Sequence, residues 1–310
     1  MPLDPPADPV IPDIAPPGSP SAPQPASASL SGPAAGEEVW VREVGRPSSV
    51  RRVGAMVLRH WYLIRASWPR ILELAYWPTV QLLVWGILSQ FLATNSTWIA
   101  QAAGVLLGAV LLWETLVRTK ISMTVSFLEE LWSRNLGHLF VSPLRPWEWV
   151  VSLTVMGVLR AVIGLALPVA LAVPLFGFNL FSLGLPLVAF FAMLMLTGVT
   201  VALFTTGMIL RHGMGAEGLA WMAVFVLAPV SAVYYPVDSL PDWLAWISLA
   251  LPTTHVFEGM RGVLFTGVFN WGHLGWSVVL NLLYGALGGL YFLAAFRNAR
   301  TRGALLQTGE

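Results

Sequence analysis

The residues able to do bond chemistry are few and scattered. The 310-residue chain has no cysteine, so it offers no thiolate nucleophile, no thiolate metal site and no disulfide. Its histidines, His60, His138, His212, His255 and His273, form no pair at metal-ligand spacing. Lys120 is the single lysine and has no glycine near it, so the chain lacks the Gly-x-x-x-x-Gly-Lys loop that cradles nucleotide phosphates. No Ser, His and Asp stand in a nucleophile elbow. Glu129 and Glu130 are adjacent, which turns them to different sides of a helix instead of into one site. The expectation is a chain with no catalytic residue, no metal and no cofactor of its own.

What remains is charge set in apolar surroundings. Hydrophobic residues make up 56% of the chain and charged ones 11%, with a mean hydropathy of +0.70. A soluble domain carries about 25% charged residues, so the chain belongs in a bilayer. Disorder is excluded for most of it, because a disordered chain is polar and short of aromatics, whereas this one has 15 Trp and 15 Phe. The formal net charge is only +1, and 16 of the 17 basic residues are Arg.

The elements that must position these charges are apolar runs. A helix needs about 20 apolar residues to cross the hydrocarbon core. Six runs qualify, at 71–93, 98–117, 149–173, 181–210, 218–234 and 274–296. A seventh piece, 243–257, is broken by Pro252, follows Pro236 and Pro241, and is too short to span, so it reads as re-entrant or interfacial. With six spans, the Arg-rich segments (the first 70 residues, the 118–148 loop, the 211–217 turn and the tail) all fall on one face, while the opposite loops hold just Arg261. The bias of basic residues toward the inside puts both termini in the cytoplasm.

Ahead of the spans, residues 1–39 form a Pro/Ala-rich tail. Residues 1–36 hold 11 of the 23 prolines, with no basic residue and no apolar run, which excludes a secretory signal and describes a disordered segment or a docking peptide for a proline-reading partner. Residues 40–70 interleave Arg42, Arg46, Arg51, Arg52, Arg59, Arg65 and Arg70 with Trp40, Trp61, Tyr62 and Trp68. This suits an amphipathic helix in the headgroup layer, with guanidinium groups on lipid phosphates. Nucleic acid is the rival partner for such a stretch, and is set aside because the run leads directly into an apolar span. Residues 71–297 are the six-span domain and 298–310 a cytoplasmic tail.

The loop after the second span is the most informative segment. Leu128, Leu131, Leu136, Leu139 and Phe140 recur at helical spacing around Glu129, Glu130 and Arg134, with Glu130 and Arg134 an i,i+4 pair in the favourable order. Pro143 and Pro146 stop this short amphipathic helix, whose apolar side rests on lipid or on a cytoplasmic partner. The stretch Glu129-Glu130-Leu131-Trp132-Ser133-Arg134-Asn135-Leu136-Gly137, continuing to Ser142-Pro143-Leu144, resembles the E-x-x-x-R-(N/T)-(L/G)…S-P-L loop of type 2 ABC exporter permeases, with Gly137 one place late. A second stretch, from Ala228 through Tyr234-Tyr235-Pro236, Leu240-Pro241 and Pro252-Thr253 to Glu258 and Arg261, resembles that family's extracytoplasmic pattern.

The resemblance covers about residues 50–300. It implies an all-α integral membrane fold of six transmembrane helices, with an N-terminal interfacial helix, a cytoplasmic coupling helix and a re-entrant segment before the last span. It implies a homodimer in the inner membrane, each subunit resting on a separate ATPase chain that binds ATP and Mg. Coupling to that ATPase would fall to Glu129, Glu130, Arg134, Leu136, Gly137 and Leu139, and the outer gate to Pro236, Leu240, Pro241, Pro252, Glu258 and Arg261. The cargo would be an amphiphilic or lipid-linked molecule such as a drug, lipid or saccharide carrier. The alternatives are an ion-coupled secondary carrier, which calls for mid-span acids and internal repeats, and a non-transporting assembly factor.

Charges within the spans each need a reason. Arg160 lies 12 residues past Glu148, roughly 18 Å along a helix. It is expected either to pair with Glu114 or Glu73, or to meet an anionic headgroup or phosphate. Glu114 and Arg118 are spaced as an i,i+4 pair, and Glu258 and Arg261 as an i,i+3 pair that ties the outer gate or contacts cargo. Gly104 and Gly108 permit close packing.

Overall fold

The computed structural model describes residues 48–93, 97–133, 135 and 144–302. The Pro-rich tail, Trp40, Arg42, Arg46, Arg134, Leu136, Gly137 and Leu139 lie outside the described residues. Among the described residues there is no strand. Nine α-helices follow in order: α1 Ser49–Arg65, α2 Trp68–Ala93, α3 Thr97–Trp132, α4 Pro146–Phe176, α5 Leu185–His212, α6 Glu217–Val230, α7 Asp242–Leu249, α8 Pro252–Thr266 and α9 Trp271–Thr301.

Helix α1 starts where the Ser48 side chain accepts the Arg51 N–H, and it buries Met56, His60 and Ile64 at helical spacing. Leu58, Tyr62 and Leu63 remain exposed on it, as expected of an amphipathic helix at an apolar boundary. The chain breaks at Ala66 and Ser67, and α2 follows with an outward face of Trp68, Leu72, Tyr76, Val84, Ile87 and Phe91.

Helix α3 is the axis of the bundle and packs against α2, α4 and α5; α5 in turn lies against α9. The apolar run that ends at Val117 predicts a shorter helix and a separate amphipathic one after it. Instead α3 continues through Glu129 and Glu130 to Trp132. It can do so because the charges that seem to end the run find partners inside: Arg118 pairs with Glu114, and Lys120 donates to a backbone carbonyl of α6. The core divides along α3. Around its first half, Leu111, Leu112 and Leu116 pack with Phe178, Phe190, Phe257 and Met260. Around its last turns, Met123, Phe127 and Leu128 pack with Trp149, Leu153, Ala202 and Phe292.

Glycines let these helices approach. A Cβ on Gly164 of α4 would stand 2.6 Å from the Leu74 carbonyl of α2, and one on Gly198 of α5 would stand 2.8 Å from the Leu116 carbonyl of α3. The Gly104 and Gly108 face of α3 instead receives the Phe178 ring, with the Cβ position of Gly108 3.1 Å from it.

Among the described residues, four helices are long and apolar enough to cross a membrane: Trp68–Phe91, Pro146–Phe176, Leu185–His212 and Trp271–Thr301. Helix α3 has the length but carries five ionisable residues after Val110. The fifth expected span, 218–234, contains only α6, which ends at Val230. There the chain turns through Ala232, a non-glycine residue at φ 50°.

Candidate functional site

The densest chemistry lies at the C-terminal end of α3 and the start of α4, which flank the 133–145 loop. Pro146 opens α4, and Glu148 in its first turn accepts the Arg145 N–H at 3.0 Å. The same carboxylate, fully buried, takes a two-point bond from Arg52 of α1: Nη2 to Oε1 at 2.5 Å and Nε to Oε2 at 2.9 Å. Two turns further along α1, Arg59 reaches Glu130, with Nη1 at 2.5 Å from Oε1 and Nη2 at 3.2 Å from Oε2. Asn135 donates to the same Oε2 at 2.7 Å. Arg70, in the first turn of α2, lies 3.4 Å from Glu129. Both flanks of the loop are therefore held by arginines of the N-terminal segment, which the sequence had directed to lipid phosphates. Two-point guanidinium–carboxylate bonds fix orientation as well as distance.

Of the residues expected to couple to an ATPase, Glu129 and Glu130 sit in the last turn of α3. Arg134, Leu136, Gly137 and Leu139 lie outside the described residues, so the Glu130–Arg134 pair is not among the contacts seen. Buried in the same region, His60 places its Nδ1 2.8 Å from the Met56 carbonyl. Burial holds its pKa below the ordinary histidine value.

Arg160 does not pair with Glu114. That acid is buried and accepts from Arg118, Nε to Oε2 at 3.1 Å. Arg160 makes a 3.4 Å bond to the Ser122 carbonyl and lines a cavity with Arg70, Glu73, Arg118 and Glu129. The interval from Leu74 to Gly86 on α2 equals that from Gly164 to Phe176 on α4, and both pairs touch. The two helices thus run side by side in one direction, with Arg160 level with Arg70 at the start of α2. The first turns of α4 lie against α1 and the end of α3, before α2 begins.

The opposite end of α3 faces the second group of expected residues. Pro236 precedes a 3₁₀ turn over Val237–Ser239, and Pro241 precedes α7. Pro252 sits in the first turn of α8, so the 243–257 piece folds as two helices with a corner at Leu251. Leu240 ends the 3₁₀ turn. Glu258 and Arg261 bind each other at 2.9 Å. Glu258 also accepts the Val237 N–H at 2.9 Å, and Arg261 donates to the Ala232 carbonyl at 2.6 Å and the Val233 carbonyl at 3.4 Å. The pair fastens α8 to the turn that ends α6.

Sequence reasoning missed the partnership of Arg52 and Glu148, which stand 96 residues apart. It also passed over Lys120, which is completely buried, donates to the Ala220 carbonyl, and lies 5.5 Å from the Trp221 ring centroid. The chain's single lysine, two residues past Arg118 with no acid at i±3 or i±4, was the available signal. Among the described residues no group of His, Asp and Glu could hold a metal.

Compared with known families, residues 53–265 match the family described as ABC-2 type transporter. No curated protein matches the chain.

Proposed function

The chain belongs to the ABC-2 type transporter family and is a multi-pass transmembrane subunit of an ABC transporter; we propose that it is the permease of an exporter, driven by a separate ATPase chain that binds ATP and Mg and pushes on the 133–145 loop. The observation that carries this is the grip on both flanks of that loop, through Arg59–Glu130 and Arg70–Glu129 on one side and Arg52–Glu148 on the other. A push on the loop reaches α1, α3 and α4 together. Helix α3 is unbroken from Leu106, beside the turn after α6, to Glu130, roughly 36 Å at 1.5 Å per residue. It can carry a displacement from one end of the bundle to the other.

Six crossings fit this arrangement. Helix α3 joins the four long apolar helices as a fifth, its acids and Arg118 held in ion pairs and Lys120 on a backbone carbonyl. Helix α6, with the segment fastened by Arg261, makes the sixth, and α7 and α8 form a re-entrant corner that closes the outer end. The last helix returns to the α1 end, where Phe292 stacks near Trp149 at 6.3 Å, so both ends of the described chain lie together, as an even count requires. That end is the Arg-rich one and is assigned to the cytoplasm of the inner membrane. The exposed apolar faces of α2 and α9 suit lipid and a second copy of the chain. The cargo is an amphiphile.

The test is to purify the tagged chain from membranes together with any bound ATPase and to assay ATP-driven flux in vesicles. A P-loop protein that co-purifies, with flux lost in Glu130→Gln at unchanged protein level, supports the proposal. A chain that purifies alone and moves cargo on an ion gradient contradicts it.

A further inference from the structure

A guanidinium carries five N–H donors and a permanent charge, and burial makes each unmet donor costly. Arg160 is 8% exposed, yet its single hydrogen bond is the long one to the Ser122 carbonyl. Its Nε has no partner, and neither does the buried Oγ of Ser122 beside it. Among the described residues no carboxylate lies within ion-pair distance of it. The neighbouring arginines differ: Arg118 is held by Glu114 and Arg70 by Glu129. All three arginines line one cavity of about 120 Å³ between α2, α3 and α4, space enough for a phosphate group.

We propose that this cavity binds the phosphate of an anionic amphiphile, with Arg160 as the principal ligand, Arg118 and Arg70 as flanking donors, and Ser122 Oγ as a further donor. Three guanidinium groups converging on one cavity match the planar, multi-point recognition that phosphate oxygens favour. The cavity lies level with the first turn of α2. There the outward face carries Trp68, Ile71 and Leu72, all exposed, which gives acyl chains an apolar surface beside the charged mouth. Glu73 also lines the cavity, is exposed, and forms no ion pair among the described residues. It is free to compete with an entering anion, whereas Glu129, the other carboxylate of the lining, stands 3.4 Å from Arg70. As a statement about cargo this deepens the exporter assignment and rests on it; the binding itself needs neither ATPase nor transport.

The full-length chain, purified in an uncharged maltoside detergent, is titrated with dioctanoyl phosphatidic acid, dioctanoylglycerol and inorganic phosphate while thermal unfolding is followed. Stabilisation by the phosphatidic acid but not by dioctanoylglycerol, weakened about tenfold or more in Arg160→Gln, supports the site. If inorganic phosphate matches the lipid, the ligand is the free anion; if it is much weaker, the ligand is a headgroup. Should Arg160→Gln not fold, Glu73→Gln decides. The proposal predicts several-fold tighter binding once the competing carboxylate is gone, whereas an Arg160–Glu73 pair as the natural state predicts lower stability and no gain in affinity. Equal stabilisation by phosphatidic acid and dioctanoylglycerol, or binding unchanged in Arg160→Gln, overturns the site. Failure here leaves the exporter assignment intact, since that assignment is tested by ATPase association and flux.

Discussion

The two ends of α3 are held in different ways. At the Glu130 end, ion pairs join elements far apart in sequence: Arg52 with Glu148, Arg59 with Glu130, Arg70 with Glu129. At the Leu106 end, Glu258 and Arg261 are neighbours on one helix turn, and their other bonds go to backbone groups of a single turn of chain. Long-range pairs report on and resist the relative movement of helices. Local pairs with backbone anchors make one rigid piece. The first arrangement suits a place where force enters, the second a cap that moves as a unit.

The sharpest way to break this comparison is Glu148→Gln. It leaves the Arg52 guanidinium facing a neutral amide, and ATP-driven flux in vesicles is expected to fall about tenfold or more, with protein still in the membrane. Exchanging the two charges, Arg52→Glu with Glu148→Arg, is expected to recover part of the loss. If the single variant disappears from the membrane instead, the Glu130 end is a folding staple like its counterpart. At the other end the expected effect is on stability. Arg261→Gln removes bonds to Glu258 and to the Ala232 carbonyl and should lower stability by about 2 kcal/mol in thermal unfolding, while ATPase coupling of the surviving protein is retained.

Gly164→Ala sharpens the account of what positions the Arg160 cavity. Its methyl would meet the Leu74 carbonyl at 2.6 Å, so α2 and α4 must part, at about 1 kcal/mol or more of stability. Gly289→Ala, where nothing lies within 4 Å, is the control expected to show no loss. The smallest effect concerns His60. Its pKa is lowered by burial, so the unfolded chain takes the proton first as the pH falls. Its contribution is complete above the ordinary histidine value of about 6.5 and declines below it. Thermal unfolding from pH 8 to 5 should show this decline, flattened in His60→Gln.

Much of this molecule is legible in the sequence because much of it is local. Glu114–Arg118 and Glu258–Arg261 follow from helical spacing, and the corner at Pro252 from the missing N–H of proline. The long-range partners are not legible: nothing near Arg52 or Arg59 in sequence distinguishes a lipid phosphate from Glu148 or Glu130 as the counter-charge. The extent of α3 was hidden for a related reason. Arg118 and Lys120 look like the end of an apolar run until their partners, one a turn away and the other on α6, are in place. The level of Arg160 against Arg70 was hidden as well, because the first turns of α4 precede the start of α2.

The most direct test of the central claim uses the absence of native cysteine. Ser133, exposed at the end of α3, is replaced by cysteine and treated with a membrane-impermeant maleimide in right-side-out and inside-out vesicles. Labelling only in inside-out vesicles, reduced when the ATPase is bound, is the predicted result. Labelling from the outer face contradicts the account.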